Sequence, residues 1–234
     1  MKILVINPNT TVEMTKQIET AMNAAKRADT VLEVVNPAAG TPALASGYDE
    51  VVAGYELVKM VQAAREQGYD AIVIACYSDP GIVAAKEICD FPVVGIAEAA
   101  MHMACLLGRK FTVLTTSKAR IPSKEAYVQH NGLGSRLASI RPLGVTVVET
   151  SHDPTKTKEA VLAVAREAIE DDGAEVIILG CAGMAGYAEE LERELGVPVL
   201  DPNAVALKMA EAMVDLKLKP SRRGFYAYPP QLCC

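Results

Sequence analysis

Two short stretches of this chain have the same construction, and together they restrict its fold more than anything else in the sequence. Ala71–Gly81 reads AIVIACYSDPG, and Glu175–Met184 reads EVIILGCAGM. Each is an apolar run ending at a cysteine, Cys76 or Cys181. A short apolar run closed by turn residues fits a strand buried on both faces. Asp79-Pro80 after the first run is a helix start signal, and the second run also leads into a helical pattern. The spacing therefore predicts a cysteine at the carboxyl end of a buried strand, twice. In open α/β sheets that end is where ligands bind.

The repetition extends further. Lys2-Ile3-Leu4-Val5 aligns with Lys110-Phe111-Thr112-Val113, and Phe91-Pro92-Val93-Val94 aligns with Val197-Pro198-Val199-Leu200. These pairs stand at nearly the same interval as Cys76 and Cys181. Each half is then roughly a hundred residues long, enough for a small α/β unit. The alternation predicts strands at 2–6, 31–35, 71–75 and 92–95 in the first half. In the second half it predicts 111–115, 145–149, 175–179 and 198–200, with helices between. The expected fold is α/β, with two similar lobes related by a pseudo-twofold axis, each a four-stranded parallel sheet flanked by helices. Residues 1–97 with about 208–234 would make the first lobe, 98–207 the second, and the active site would lie in the cleft between them. The loop 38–48, rich in Gly, Pro, Ala and Ser, is long enough to rim a pocket.

Such an arrangement sets Cys76 and Cys181 face to face. A carbon held between two thiols loses a proton to one face and regains one from the other, a two-base epimerisation that needs no cofactor. General acid–base catalysis of this kind requires one thiolate and one thiol. A helix N-terminus beside each sulfur would lower its pKa. The intermediate is an enolate, so its oxygen needs donors. The backbone N–H groups after each cysteine (Tyr77 and Ser78, Ala182 and Gly183) and the hydroxyls of Ser78 and Thr116 are placed for that role.

These same residues carry a family resemblance. INPNTT near the start, ACYSDPG, GIAEAA at Gly95–Ala100 and LGCAGM together resemble the hydantoin and allantoin racemases of the aspartate/glutamate racemase superfamily. The resemblance runs from Asn7 to Asp201. It implies a two-lobed α/β fold, a cofactor-independent two-cysteine mechanism, and substrates that are 5-substituted hydantoins or allantoin. It carries the acid/base roles to Cys76 and Cys181, and it implies that Asn7, Ser78, Thr115 and Thr116 line the pocket. It also implies a homo-oligomer. Arylmalonate decarboxylases are similar but keep only the second cysteine; both are present here, which favours the racemase reading. Within a hydantoin, C5 is acidified by the adjacent carbonyl, and the apolar loop residues Pro42, Ala43 and Leu44 are candidates to accept its side chain.

Other residues have simpler readings. Asp79 and Asp201, each before a proline, read as helix N-caps. Ser78 and Thr116 serve equally well as capping hydroxyls, and Asn7 before Pro8 as a turn residue. Cys89 and Cys105 lie in or beside helices and read as packing, as do Met101, Met103 and Met184. Glu98 and His102, one turn apart, read as a structural pair. Cys233-Cys234 end a proline-containing tail and read as oxidation-prone.

Competing functions are a decarboxylase or maleate-type isomerase on the same scaffold, and a two-lobed solute receptor. The motif loops lack Lys and Arg apart from Lys118 and Arg120, which disfavours a doubly charged substrate. No glycine-rich phosphate loop appears. The three histidines are scattered without metal-ligand spacing, so no metal is expected. A net charge of −6 with no extended basic cluster argues against a nucleic-acid surface. The N-terminal apolar run is too short for a signal-peptide core and is broken by Asn7-Pro8. With no run long enough to span a bilayer and six cysteines read as free thiols, the expected location is cytoplasmic.

Overall fold

A computed structural model describes residues 1–232. The first half runs β1 (Lys2–Ile6), α1 (Val12–Ala25), β2 (Val31–Val35), α2 (Gly47–Ala64), β3 (Ala71–Ile74), α3 (Ile82–Ile88), β4 (Val93–Gly95) and α4 (Ile96–Leu107). The second runs β5 (Phe111–Thr115), α5 (Ile121–His130), β6 (Leu137–Pro142), α6 (Val147–His152), α7 (Pro154–Asp172), β7 (Val176–Leu179), α8 (Ala188–Leu195), β8 (Val199–Leu200) and α9 (Pro202–Asp215). Two parallel four-stranded sheets result, in the orders β2-β1-β3-β4 and β6-β5-β7-β8. The two orders are the same once the halves are superposed in sequence, as the duplication predicts.

Burial explains which strands are central. Every residue of β3 and β7 is buried, while the edge strands β2 and β6 are largely half-exposed. Ile6 pairs with Ile74 in one sheet and Leu114 with Leu179 in the other. The ladders continue one step beyond, through Ala75 N–H to Ile6 O at 2.8 Å and Gly180 N–H to Leu114 O at 2.8 Å. At the second of these closures a Cβ on residue 180 would lie 2.4 Å from the Leu114 carbonyl oxygen, so only glycine fits. Gly180→Ala should therefore lower stability by about 3 kcal/mol through overpacking, which is about 10 °C in Tm for a chain of this size. A thermal melt within a degree of the wild type would show that the strand end yields to the added methyl.

The residue after each cysteine packs into the opposite lobe. Tyr77, from the first half, belongs to the core cluster of Met101, Phe111, Val113, Val128 and Ile178 in the second. Ala182, from the second, belongs to the cluster of Ile3, Val5, Met14 and Val73 in the first. This exchange of side chains draws the two cysteine loops together. Helix α4 runs along the seam, with Ile96 and Ala99 in one core and Ala97, Ala100, Met101 and Ala104 in the other. Helix α9 places Ala206, Leu207 and Ala210 in the first core, against Ile18 and Met22 of α1.

Some local expectations give way to stronger interactions. The stretch 145–149 is not a strand: Thr146 accepts from Glu149 N–H at 3.2 Å while the Glu149 carboxylate accepts from Thr146 N–H at 2.8 Å. That capping box starts α6. The strand is instead Leu137–Pro142, a half-exposed edge whose Arg and Pro conceal the alternation. Helix α3 starts at Ile82 rather than at Pro80, because Asp79 and Gly81 are left-handed, with φ of 42° and 71°. Helix α2 starts two residues before Asp49, with Ser46 accepting from Asp49 N–H at 3.2 Å. Helix α8 begins at Ala188, after a 3-10 turn over Ala182–Met184. The Cys233-Cys234 pair lies outside the described residues. Among the described residues no helix is long and apolar enough to cross a membrane.

Candidate active site

Where the carboxyl ends of β3 and β7 approach each other, a cavity open to solvent is lined by both Cys76 and Cys181. Tyr77, Ser78, Thr115, Thr116 and Ala182 are on its wall, as the sequence predicts. Asn7 is not. It is fully buried behind the wall, where its amide donates to Asn9 Oδ1 and Thr15 Oγ1, both at 3.0 Å. Asn9 occupies the wall instead, fixed by accepting from Thr11 N–H at 2.9 Å. The side of Pro8 away from the strand is the one that faces the cavity, a choice that the NPNT motif leaves open. Gly183 is also off the wall, but its N–H favours the Cys181 thiolate.

The two sulfurs have matching local surroundings. The N–H two residues on, of Ser78 or Gly183, favours the thiolate of the cysteine before it. The N–H three residues on closes the turn onto the cysteine carbonyl, at 2.9 Å for Asp79 and 3.1 Å for Met184. The surroundings also differ: the Thr150 hydroxyl is 3.9 Å from the Cys181 sulfur, the Asp79 charge acts on Cys76, and Cys181 is the more buried of the two.

No helix N-terminus touches either sulfur, contrary to expectation, since α3 begins only at Ile82 and a 3-10 turn follows Cys181. Burial dominates instead. It pushes the Cys76 thiol up to about 12, against the Ser78 N–H and the ammonium of Lys124, which pull it down. Burial also raises Cys181, against the Gly183 N–H, the Thr150 hydroxyl and again Lys124. An additional charge on Cys181 raises Cys76 further, so the pair resists double ionisation.

Lys124 is the residue that motif reading overlooks. It projects from α5 to the cavity wall, with Nζ 4.6 Å from the Tyr77 ring centroid and 3.4 Å from the Tyr77 carbonyl oxygen it donates to. Burial lowers its pKa, and the two thiols oppose that shift. Arg120, from the 3-10 turn before α5, also reaches the wall, where it is ion-paired with Glu50. Lys124 belongs to no motif, and Arg120 reads only as a basic residue of a motif loop. The one available signal was a cluster of basic residues after the strand-ending Thr115-Thr116.

Asp79 holds the Cys76 loop in place, but not by capping its own helix. Its buried carboxylate accepts from Ala97 N–H at 3.1 Å and Glu98 N–H at 2.9 Å, at the start of α4, and from the Tyr127 hydroxyl at 2.9 Å. Desolvation, with Glu98 nearby, pushes it up to about 7. The fit is tight enough that a Cβ at Gly95 would fall 2.2 Å from the Asp79 carboxyl carbon. Asp201 does cap its own helix, accepting from Asn203 N–H at 2.9 Å. Glu98 pairs with Lys86 at 2.6 Å, whereas His102 Nδ1 lies 2.7 Å from the Glu98 carbonyl oxygen, so the two do not pair through their side chains. Cys89 is buried in the first core and Cys105 borders the second.

The arrangement offers two thiols on one cavity, one cation that acts on both, and several N–H and hydroxyl donors. Among the described residues no group of three or more His, Cys, Asp or Glu is disposed to hold a metal.

Comparison with known proteins gives a consistent picture. The Asp/Glu/Hydantoin racemase family profile matches residues 3–210. A hydantoin racemase of Pseudomonas sp. (strain NS671) is 43% identical, across 98% of this chain and 92% of that protein. A hydantoin racemase of Paenarthrobacter aurescens is 38% identical, across 99% of this chain and 98% of that one. Among solved structures, an allantoin racemase from Klebsiella pneumoniae superposes with a TM-score of 0.94 at 38% identity, covering 98% of this chain and 94% of its own.

Proposed function

This chain belongs to the Asp/Glu/Hydantoin racemase family and is a racemase, and from that premise we propose that it inverts the C5 stereocentre of 5-monosubstituted hydantoins by proton transfer between Cys76 and Cys181. The observation that carries the reading is the position of both cysteines on one cavity, at equivalent strand ends and coupled to the same lysine.

In the resting pair one sulfur is a thiolate and the other a thiol. The thiolate takes the C5 hydrogen as a proton, so an S–H bond forms as the C–H bond breaks, and the electron pair passes into the adjacent carbonyl. The opposite thiol then gives its proton to the other face of C5. Charge is conserved, and the roles of the sulfurs are exchanged at the end of each turnover. The Lys124 ammonium balances the single negative charge whether it lies on a sulfur or on the enolate, a preorganised electrostatic stabilisation. The Ser78 and Thr116 hydroxyls, on the same wall, supply donors to the enolate oxygen. Asn7 acts indirectly in this scheme by fixing Asn9.

Incubating an enantiopure 5-substituted hydantoin with the protein in deuterated water should abolish optical rotation and place deuterium at C5. Unchanged rotation with no exchange would overturn the reading. Allantoin is the second candidate substrate, favoured by the likeness to the Klebsiella pneumoniae structure. Initial rates on allantoin, 5-benzylhydantoin and 5-isopropylhydantoin, measured side by side, separate the two.

A further inference from the structure

Beyond the wall of the cysteine cavity lies a second one. The two share Glu50, Tyr77, Ser78, Ser123 and Lys124, so these residues stand between them. The second cavity is also lined by Met101, Val113 and Val128, three apolar side chains of the second-lobe core, and by Tyr127. Tyr127 is already committed, its hydroxyl donating to Asp79. The Tyr77 hydroxyl is not. Tyr77 is only 5% exposed, and its Oη is buried with no hydrogen-bond partner in the protein. A buried hydroxyl left unpaired is uncommon and costs stability. It is better explained where a ligand completes it.

We propose that this second cavity is the chamber for the C5 substituent, and that Tyr77 selects substituents with an apolar body and a hydrogen-bonding end. The proposal rests on the hydantoin racemase reading above and adds its substrate class. Met101, Val113 and Val128 receive the apolar body, and Tyr77 Oη meets the polar end. On inversion the C5 hydrogen changes face while the substituent swings through the ring plane, in which it lies at the enolate, so a single chamber entered edge-on past the shared residues serves both enantiomers. The sequence directs the substituent toward Pro42, Ala43 and Leu44 instead. Leu44 does line the cysteine cavity, but it lies on a half-exposed surface loop, and the loop's one buried unpartnered hydroxyl, of Thr41, is not on that cavity's wall.

The test compares ratios of kcat/KM, which do not depend on how much of each variant is active. In the wild type, 5-(4-hydroxybenzyl)hydantoin should be favoured over 5-benzylhydantoin by about fivefold, the yield of one net hydrogen bond. Tyr77→Phe removes only the unpaired hydroxyl and keeps the ring in the core, and it should bring that ratio to about one. Val128→Leu adds a methylene to the chamber and should lower the 5-benzyl to 5-methyl ratio by about tenfold. Unmoved ratios in both variants, or a 5-benzyl to 5-methyl ratio that responds to Leu44→Ala alone, would overturn the chamber while leaving the racemase reading intact. A wild-type protein inactive on every hydantoin, 5-methylhydantoin included, would remove both.

Discussion

Replacing either Cys76 or Cys181 with serine is expected to abolish racemisation, with kcat falling at least about a thousandfold, the scale of a lost acid–base group. A serine hydroxyl is close in size to a thiol, so the loss would report chemistry rather than packing. It holds its proton far more tightly, and the burial that already raises both thiols would raise it further. The two variants should differ in an informative way. Each keeps one sulfur, so each should still exchange the C5 hydrogen of one enantiomer with deuterated water, without inversion. The enantiomer that exchanges should be opposite in the two variants, because the sulfurs address opposite faces. Polarimetry with NMR of the recovered substrate measures both quantities. Normal racemisation by either variant would remove the two-base assignment.

Lys124→Met should be the next most damaging change, lowering kcat/KM near neutral pH by about a hundredfold, the usual consequence of removing an opposite charge beside an ionising group. The sign follows from the thiols. Burial disfavours the thiolate, and Lys124 favours it at both cysteines. Without the ammonium both thiols rise further, and less thiolate is present at any pH below that range. The acid limb of the kcat/KM profile should therefore move to higher pH, with part of the lost activity recovered there. Lys124→Arg keeps the charge and should preserve the position of the limb even where the rate falls. A Lys124→Met profile lowered uniformly, with no shift, would mean that Lys124 only packs against Tyr77.

The site is unusual in depending so little on helix dipoles. One backbone N–H favours each thiolate, from Ser78 or Gly183, and the cation comes from a helix outside either cysteine loop. Asp79 shows the same reliance on distant partners. It reads locally as the N-cap of the helix beginning near Pro80, yet it binds the first turn of α4 and the hydroxyl of Tyr127. Its left-handed backbone, at φ 42°, turns the carboxylate away from its own helix and ties the Cys76 loop to both lobes.

The sequence by itself determined the duplicated strand-and-cysteine device, the alternation of strands and helices, and the pairing of Cys76 with Cys181. Those features are local patterns repeated at a fixed interval, and hydrophobic periodicity records them directly. Tertiary structure alone decided that Lys124 faces the sulfurs, that Asn9 rather than Asn7 reaches the cavity, and that the second lobe's edge strand is Leu137–Pro142. It also placed Tyr77 and Ala182 in each other's lobes, with the Tyr77 hydroxyl left unpaired. The physical reason is the same in each case. An edge strand half in water has little apolar pattern to read. The electrostatic setting of a buried group depends on residues far away in the chain, which no local spacing brings together.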